Sequence, residues 1–187
     1  MSLSINQFKS GVTILLDSEV YSIVDAEHVK PAKGSAFVRT KLKNLKTGNL
    51  LDRTFRGQDT AEEAFVEQRK MQFLYSTGDI YYFMDQGNFD QISVSQDNLP
   101  ESKKFLKDNL EVLGFFHKDE LLNVNIPNFI ELAITDSEPG IRGDTSKSGT
   151  KPAKVETGAT VQVPLFVNVG DRIKIDTRTG QYVERAY

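Results

Sequence analysis

Short apolar or alternating runs, broken every few residues by turn signals, dominate the chain. VTILLDSEVYSIVDAEHV predicts two strands joined at Asp17 and Ser18. AFVRTKLKNL alternates with period two, meets the turn KTGN and continues into LLDRTF. VEQRKMQFLY, IYYFMD and FDQISV predict a meander, with turns at STGD and QGN, and EVLGFF and LLNVNI predict a hairpin around HKDE. Past Pro127 the runs are FIELAIT, ATVQVPLFVNVG, DRIKIDT and YVERAY. This spacing predicts an all-β chain of small barrels. One segment departs from it: NLPESKKFLKDNL predicts a short helix capped by Asn98, with Pro100 early and Phe105, Leu106 and Leu110 at helical spacing.

A length of 187 residues accommodates three compact units. Boundaries near Thr60–Ala64 and near Pro127 give units of 1–64, 65–128 and 129–187, each with about five strands, the size of an SH3-like or OB-type barrel. The polar stretch SEPGIRGDTSKSGTKPAK, Ser137 to Lys154, lies between apolar strand runs and predicts a long loop within the third unit.

The net charge of −3 conceals a layout. Lys plus Arg against Asp plus Glu stand at nine to eight, six to ten and eight to eight in the three units. A polyanion is therefore predicted to meet the first and last units. The chain has no cysteine and only two histidines, His28 and His117, so thiolate sites are excluded and a histidine metal cluster is not predicted. The N-terminal MSLSINQFKSG has no signal-like apolar core, and no apolar run reaches bilayer length, so a soluble cytoplasmic protein is expected, without a membrane partner. Catalytic motifs are missing: SKSGTKP has no upstream glycine for a phosphate loop, and neither a nucleophile elbow nor HExxH occurs. No catalytic residue and no cofactor are predicted.

What remains is a basic hairpin. Residues 28–56 hold eight Lys or Arg and one acid, Asp52. One face of AFVRTKLKNL carries Phe37, Arg39, Lys41 and Lys43, a footprint for a phosphate backbone and equally a solvated strand face. Before it, HVKPAKGSAF places Lys33 between Ala32 and Gly34. Pro31 stiffens the approach and biases Lys30 toward extended backbone, while Gly34 allows positive φ. Lysine has no steric advantage in such a turn, where Asn, Asp or Gly are usual. It supplies a compact charge, three donors and an amine open to modification. An ordinary exposed loop lysine has the same spacing.

Taken together, HVKPAKGSAFVRTKLKNLKTG, YYFMDQGNFDQI, EPGIRGDT and KPAKVETGATVQVPLFVNVG resemble the bacterial elongation factor P family along the whole chain. The last stretch fits the family's C-terminal signature through Lys151, Ala153, Gly158, Val161, Val163, Pro164, Val167 and Gly170. The resemblance implies an N-terminal SH3-like (KOW-type) barrel followed by two OB-type barrels in an L shape. It implies a monomeric, non-enzymatic translation factor that binds the 70S ribosome between the P and E tRNA sites and relieves stalling at consecutive prolines. Lys33 matches the loop-tip residue that reaches the CCA end of the P-site peptidyl-tRNA and that a dedicated enzyme extends in many relatives. Pro31 and Gly34 frame that loop, and Lys30 together with Arg39, Lys41 and Lys43 of the following strand are expected to contact RNA. Gly143, Asp144 and Thr145 match a motif that approaches mRNA, and Tyr182 and Arg185 match positions that resemble anticodon-stem contacts, so rRNA and mRNA contacts are implied as well. The family usually has glycine where Ala32 stands, and alanine there costs roughly 1 kcal/mol if φ is positive. The alternative reading is a general OB-type RNA-binding module in which Lys33 is incidental.

Overall fold

A computed structural model describes residues 2–138 and 149–186. The fold is all-β, in three antiparallel sheets. By compactness the chain divides into two units, Met1–Arg69 with Gly114–Asn123, and Lys70–Leu113 with Val124–Tyr187.

The first sheet contains β1 (Ser2–Ser4), β2 (Thr13–Leu16), β3 (Glu19–Val29), β4 (Phe37–Asn44), β5 (Leu50–Arg56) and β6 (Thr60–Glu63), in the order β1-β6-β2-β3-β4-β5. The alternation of β4 buries Val38, Thr40, Leu42 and Asn44 and exposes Arg39, Lys41 and Lys43, as its period of two predicts. β2 and β3 meet at Asp17 and Ser18, both at positive φ (51° and 68°), which a two-residue hairpin turn requires. Ile14, Ile23 and Leu42 are fully buried in the core, and Phe8 packs edge-on to Phe55 at 4.9 Å.

The second sheet contains β7 (Glu67–Thr77), β8 (Ile80–Asp85), β9 (Gln91–Ser95), β10 (Glu111–His117) and β11 (Glu120–Asn125), in the order β11-β10-β7-β8-β9. The single helix expected between β9 and β10 is two 3-10 turns, Gln96–Asn98 and Glu101–Phe105. Pro100, not Asn98, stands at the cap of the second. Lys103 N–H bonds back to Pro100 and Leu106 N–H to Lys103, a three-residue spacing. The neighbours Phe105 and Leu106 are both buried, Phe105 as the last residue of the turn and Leu106 at its cap, where the backbone is already extended.

The third sheet contains β12 (Phe129–Ser137), β13 (Thr150–Val155), β14 (Thr160–Pro164), β15 (Arg172–Asp176) and β16 (Gln181–Ala186), in the order β14-β13-β12-β15-β16. The predicted loop from Ser137 to Lys154 is therefore shorter: its last residues, Thr150 to Lys154, lie in β13, with Lys151 and Ala153 turned inward. The Lys151 ammonium, buried to 6% exposure, donates to the Glu138 carbonyl at 3.0 Å. No helix among the described residues is long and apolar enough to cross a membrane.

Candidate nucleic-acid interface

The pairing of β3 with β4 is symmetric about Lys33: Val29 faces Phe37, His28 faces Val38, Glu27 faces Arg39 and Asp25 faces Lys41. Further in, the register shifts between Ile23 and Asp25, with Val24 as the extra residue. Residues 30–36 form the tip. Gly34 takes φ +107°, and a Cβ there would come no nearer than 3.9 Å to Pro31 Cγ, so backbone angle rather than space calls for glycine. Ala32 is not among the residues at positive φ, so alanine carries no left-handed strain there. Behind the tip, His28 Nε2 donates to the Phe8 carbonyl at 2.9 Å. That bond ties the outer end of β3 to the core around Phe8.

Lys33 is exposed, and among the described residues no hydrogen bond or ion pair engages its ammonium. Lys30 is exposed beside it, and Pro31 is half-buried. The tip thus presents an unpartnered primary amine at the end of an anchored hairpin.

Farther along β4 the picture is more balanced than the segment's composition suggests. Arg39 lies 3.7 Å from the Glu27 carboxylate and 5.5 Å over the Phe37 ring. Lys41 has Asp25 opposite it on β3 and Asp52 opposite it on β5. Lys43 stands between Ser22 and Leu50, and Arg56 stands opposite Phe37. Arg39, Lys41, Lys43 and Arg56 therefore share their face with Asp25, Glu27 and Asp52. The pairing of β3 with β4 brings in two carboxylates that lie just outside residues 28–56. Uncompensated charge is concentrated toward the tip, at Lys30 and Lys33, rather than spread along the strand.

In the third sheet, Tyr182 and Arg185 both lie on β16. Three residues apart on a regular strand they would point to opposite faces. The register shifts between Lys174 and Ile175, so that Tyr182 faces Ile175 while Arg185 faces Ile173, and both share one side. Tyr182 is half-buried, and the Arg185 guanidinium donates to Asp171 at 2.7 Å. Nearby, Arg178 donates to both carboxylate oxygens of Asp176, at 3.0 and 2.7 Å. Those bonds hold the Asp176 carboxyl below the usual carboxylate range and the Arg178 guanidinium above its own. Gly143, Asp144 and Thr145 lie outside the described residues. Among the described residues no group of three or more His, Asp or Glu side chains is placed to hold a metal ion.

His28 was visible in the sequence only as a poor metal candidate. The signal for its anchoring role was its place on the strand leading into the tip. Glu27 and Asp25 could have been found by folding the sequence about Lys33.

Three family models match the chain. An elongation factor P KOW-like domain matches residues 4–61, an elongation factor P OB domain matches 66–124, and an elongation factor P C-terminal domain matches 130–185. Elongation factor P of Caldanaerobacter subterraneus subsp. tengcongensis is 53% identical over 183 residues, covering 98% of this chain and 99% of the relative. That of Natranaerobius thermophilus is 51% identical over 180 residues, covering 96% of each. Among solved structures, the eukaryotic translation initiation factor 5A from Methanococcus jannaschii superposes with a TM-score of 0.55 at 21% identity, over 66% of this chain and 93% of that one. The last likeness is one of fold.

Proposed function

The chain belongs to the elongation factor P family and is a translation elongation factor, and from that premise we propose that it binds the 70S ribosome between the P and E tRNA sites and speeds peptide-bond formation at consecutive prolines. The observation that carries this reading is the free amine of Lys33 at the tip of the β3–β4 hairpin. Peptide-bond formation on the ribosome depends on holding two substrates in attack geometry. Proline, with φ fixed by its ring, resists that geometry. A cation that contacts phosphates and 2′-hydroxyls at the CCA end of the peptidyl-tRNA restores alignment and leaves bond-making to the ribosome. The tip is suited to this because His28 fixes its base and nothing in the described chain competes for the ammonium. The same exposure makes Lys33 the residue a modifying enzyme would extend. Lys30 is the supporting cation. Tyr182, Arg185 and the motif from Gly143 to Thr145 are the proposed contacts of the last domain with tRNA and mRNA.

Lys33→Ala tests the proposal. The variant is expected to keep the wild-type circular dichroism and melting temperature and to lose rescue of a reporter that stalls at a polyproline run. Full rescue by the variant would refute the role of Lys33. Intact-mass measurement on the protein from its native host, mapped to the peptide that contains Lys33, reads the modification directly.

A further inference from the structure

β5 ends the first sheet, with β4 on one side and no strand on the other. At seven residues it is the longest of the six strands that edge the three sheets among the described residues. β4 alternates, whereas in β5 the run from Leu50 to Thr54 is exposed throughout and only Phe55 is buried. Leu50 is 61% and Leu51 41% exposed, and as neighbours on a strand they offer one aliphatic side chain to each face of the sheet. The backbone along this edge is open as well. Asn44 N–H donates to the Asn49 carbonyl at 2.9 Å, and bonded pairs alternate along an antiparallel ladder, so Leu51, Arg53 and Phe55 direct their N–H and C=O groups toward β4. Those of Leu50, Asp52, Thr54 and Arg56 point away from it. The following turn caps Arg56, whose N–H donates to the Asp59 carboxylate at 2.8 Å and whose carbonyl accepts from the Asp59 N–H at 2.7 Å. Nothing among the described residues does the same for Leu50, Asp52 and Thr54. A row of outward N–H and C=O groups is the template on which an extended chain adds as a further strand.

Charge selects the occupant. Arg53 shares a face with Leu51 and Phe55: its guanidinium lies 5.4 Å over the Phe55 ring and 3.7 Å from the Asp17 carboxylate, too far for a hydrogen bond. On the other face Asp52 stands opposite Lys41, while Lys43 has Leu50 on one side and Ser22 on the other, with no carboxylate opposite it. A second copy of the chain fits this edge poorly. Two identical strands paired antiparallel about a two-fold axis set the residue on that axis against itself. The register that uses all three open residues, about Asp52, opposes two carboxylates. The register that pairs the whole strand, about Arg53, opposes two guanidinium groups. Like charges directly opposite one another destabilise a pair of strands. A strand from a different protein avoids both conflicts when it places a carboxylate against Arg53.

We propose that β5 is a docking edge for an extended segment of another protein, added antiparallel, with aliphatic side chains against Leu50 and Leu51 and an acidic one against Arg53. The edge runs beside the hairpin that ends in Lys33, since Arg56 stands opposite Phe37. Its test needs neither ribosome nor Lys33, so the two readings can fail independently. The probe is the acetylated and amidated peptide Glu-Val-Thr-Glu-Lys-Val-Val, whose residues stand in order opposite Arg56 back to Leu50, titrated into the isotope-labelled full chain. Amide shifts of Leu50, Asp52 and Thr54 are expected to move and to saturate in the millimolar range, and exchange of those three amides with solvent is expected to slow. Thr54→Pro removes one outward N–H and no ladder bond, so it should keep the wild-type melting temperature and bind the peptide roughly three- to tenfold more weakly. Arg53→Glu should weaken binding about fivefold, and a peptide with Lys in place of its second Glu should then bind the variant better than it binds wild type. Circular dichroism checks that each variant folds. Three results overturn the proposal: no shifts at Leu50, Asp52 and Thr54 with millimolar peptide, equal binding by Thr54→Pro and wild type, or the same peptide preference in Arg53→Glu and wild type. Sedimentation of the protein alone covers the second copy. Association that Thr54→Pro abolishes would mean that β5 pairs with itself, and would overturn the proposal as well.

Discussion

Two neighbours at the hairpin tip, Ala32 and Gly34, are both small and exposed but answer to different constraints. Gly34 sits at φ +107°, where a side chain is strained by about 1–3 kcal/mol although space is available for it. Because the tip is not packed in a core, Gly34→Ala should release that strain by re-aiming the loop rather than by unfolding the domain. Polyproline rescue should therefore fall while the urea midpoint changes little. Wild-type rescue together with unchanged amide shifts at residues 30–36 would contradict this. At Ala32 the backbone is in an ordinary region, so glycine adds only freedom to the unfolded chain. Ala32→Gly should lower stability by about 0.4–1 kcal/mol in urea titrations. A gain in stability would mean that alanine is strained there after all.

The hairpin as an element depends on how its outer end is tethered. The bond from His28 to the Phe8 carbonyl links β3 to the core, and a hydrogen bond of this type contributes about 0.5–1.5 kcal/mol. His28→Ala should therefore speed hydrogen exchange at Val29 and Phe37 by roughly three- to tenfold, and leave exchange in β15 unchanged. Equal exchange in variant and wild type would show that the tether is idle. This tether illustrates what the sequence could and could not show. β4 and the turns at Asp17-Ser18 and Lys118-Asp119 were readable because each is specified locally, by alternation or by residues that tolerate positive φ. Lys33 stood out because Pro31 and Gly34 flank it. β1 and β6 were not readable: each is short, and they exist by pairing with one another across more than fifty residues. β13 was hidden by Lys151, an inward lysine where the alternation calls for an apolar residue. The charge of the β4 face was overstated for a similar reason, since Asp25 and Glu27 join it only through strand pairing.

For the molecule as a whole, charge bears on stability mainly at low pH. Most ion pairs among the described residues have at least one well-exposed partner, and such pairs contribute little individually. Two carboxyls nevertheless respond clearly to their partners. The hydrogen bond from Lys46, at 2.8 Å, and then its charge hold Glu120 below its ordinary value of 4.5. Arg178 does the same for Asp176, whose ordinary value is 3.8. A carboxyl whose pKa is depressed by folding binds fewer protons in the native state than in the unfolded one. Its contribution is complete above the unfolded value and disappears as pH falls through the folded value. Stability in urea should accordingly be level from pH 7 to about 5 and decline below about 4.5, where the unfolded chain takes up protons first. The partner lysine acts at the other limb: Lys46 is raised above 10.5 by Glu120, so its share is lost only as pH rises beyond that value. Glu120→Gln isolates the acidic component. At pH 7 it should be slightly less stable than wild type, and the gap should begin to narrow as pH falls below the ordinary value of 4.5 and close once pH has passed the lowered folded value, where the wild-type carboxyl takes up its proton and no longer pairs with Lys46. Parallel curves for the two proteins down to pH 3 would show that the Lys46–Glu120 pair contributes nothing to the folded state, and that the acid decline arises elsewhere in the chain.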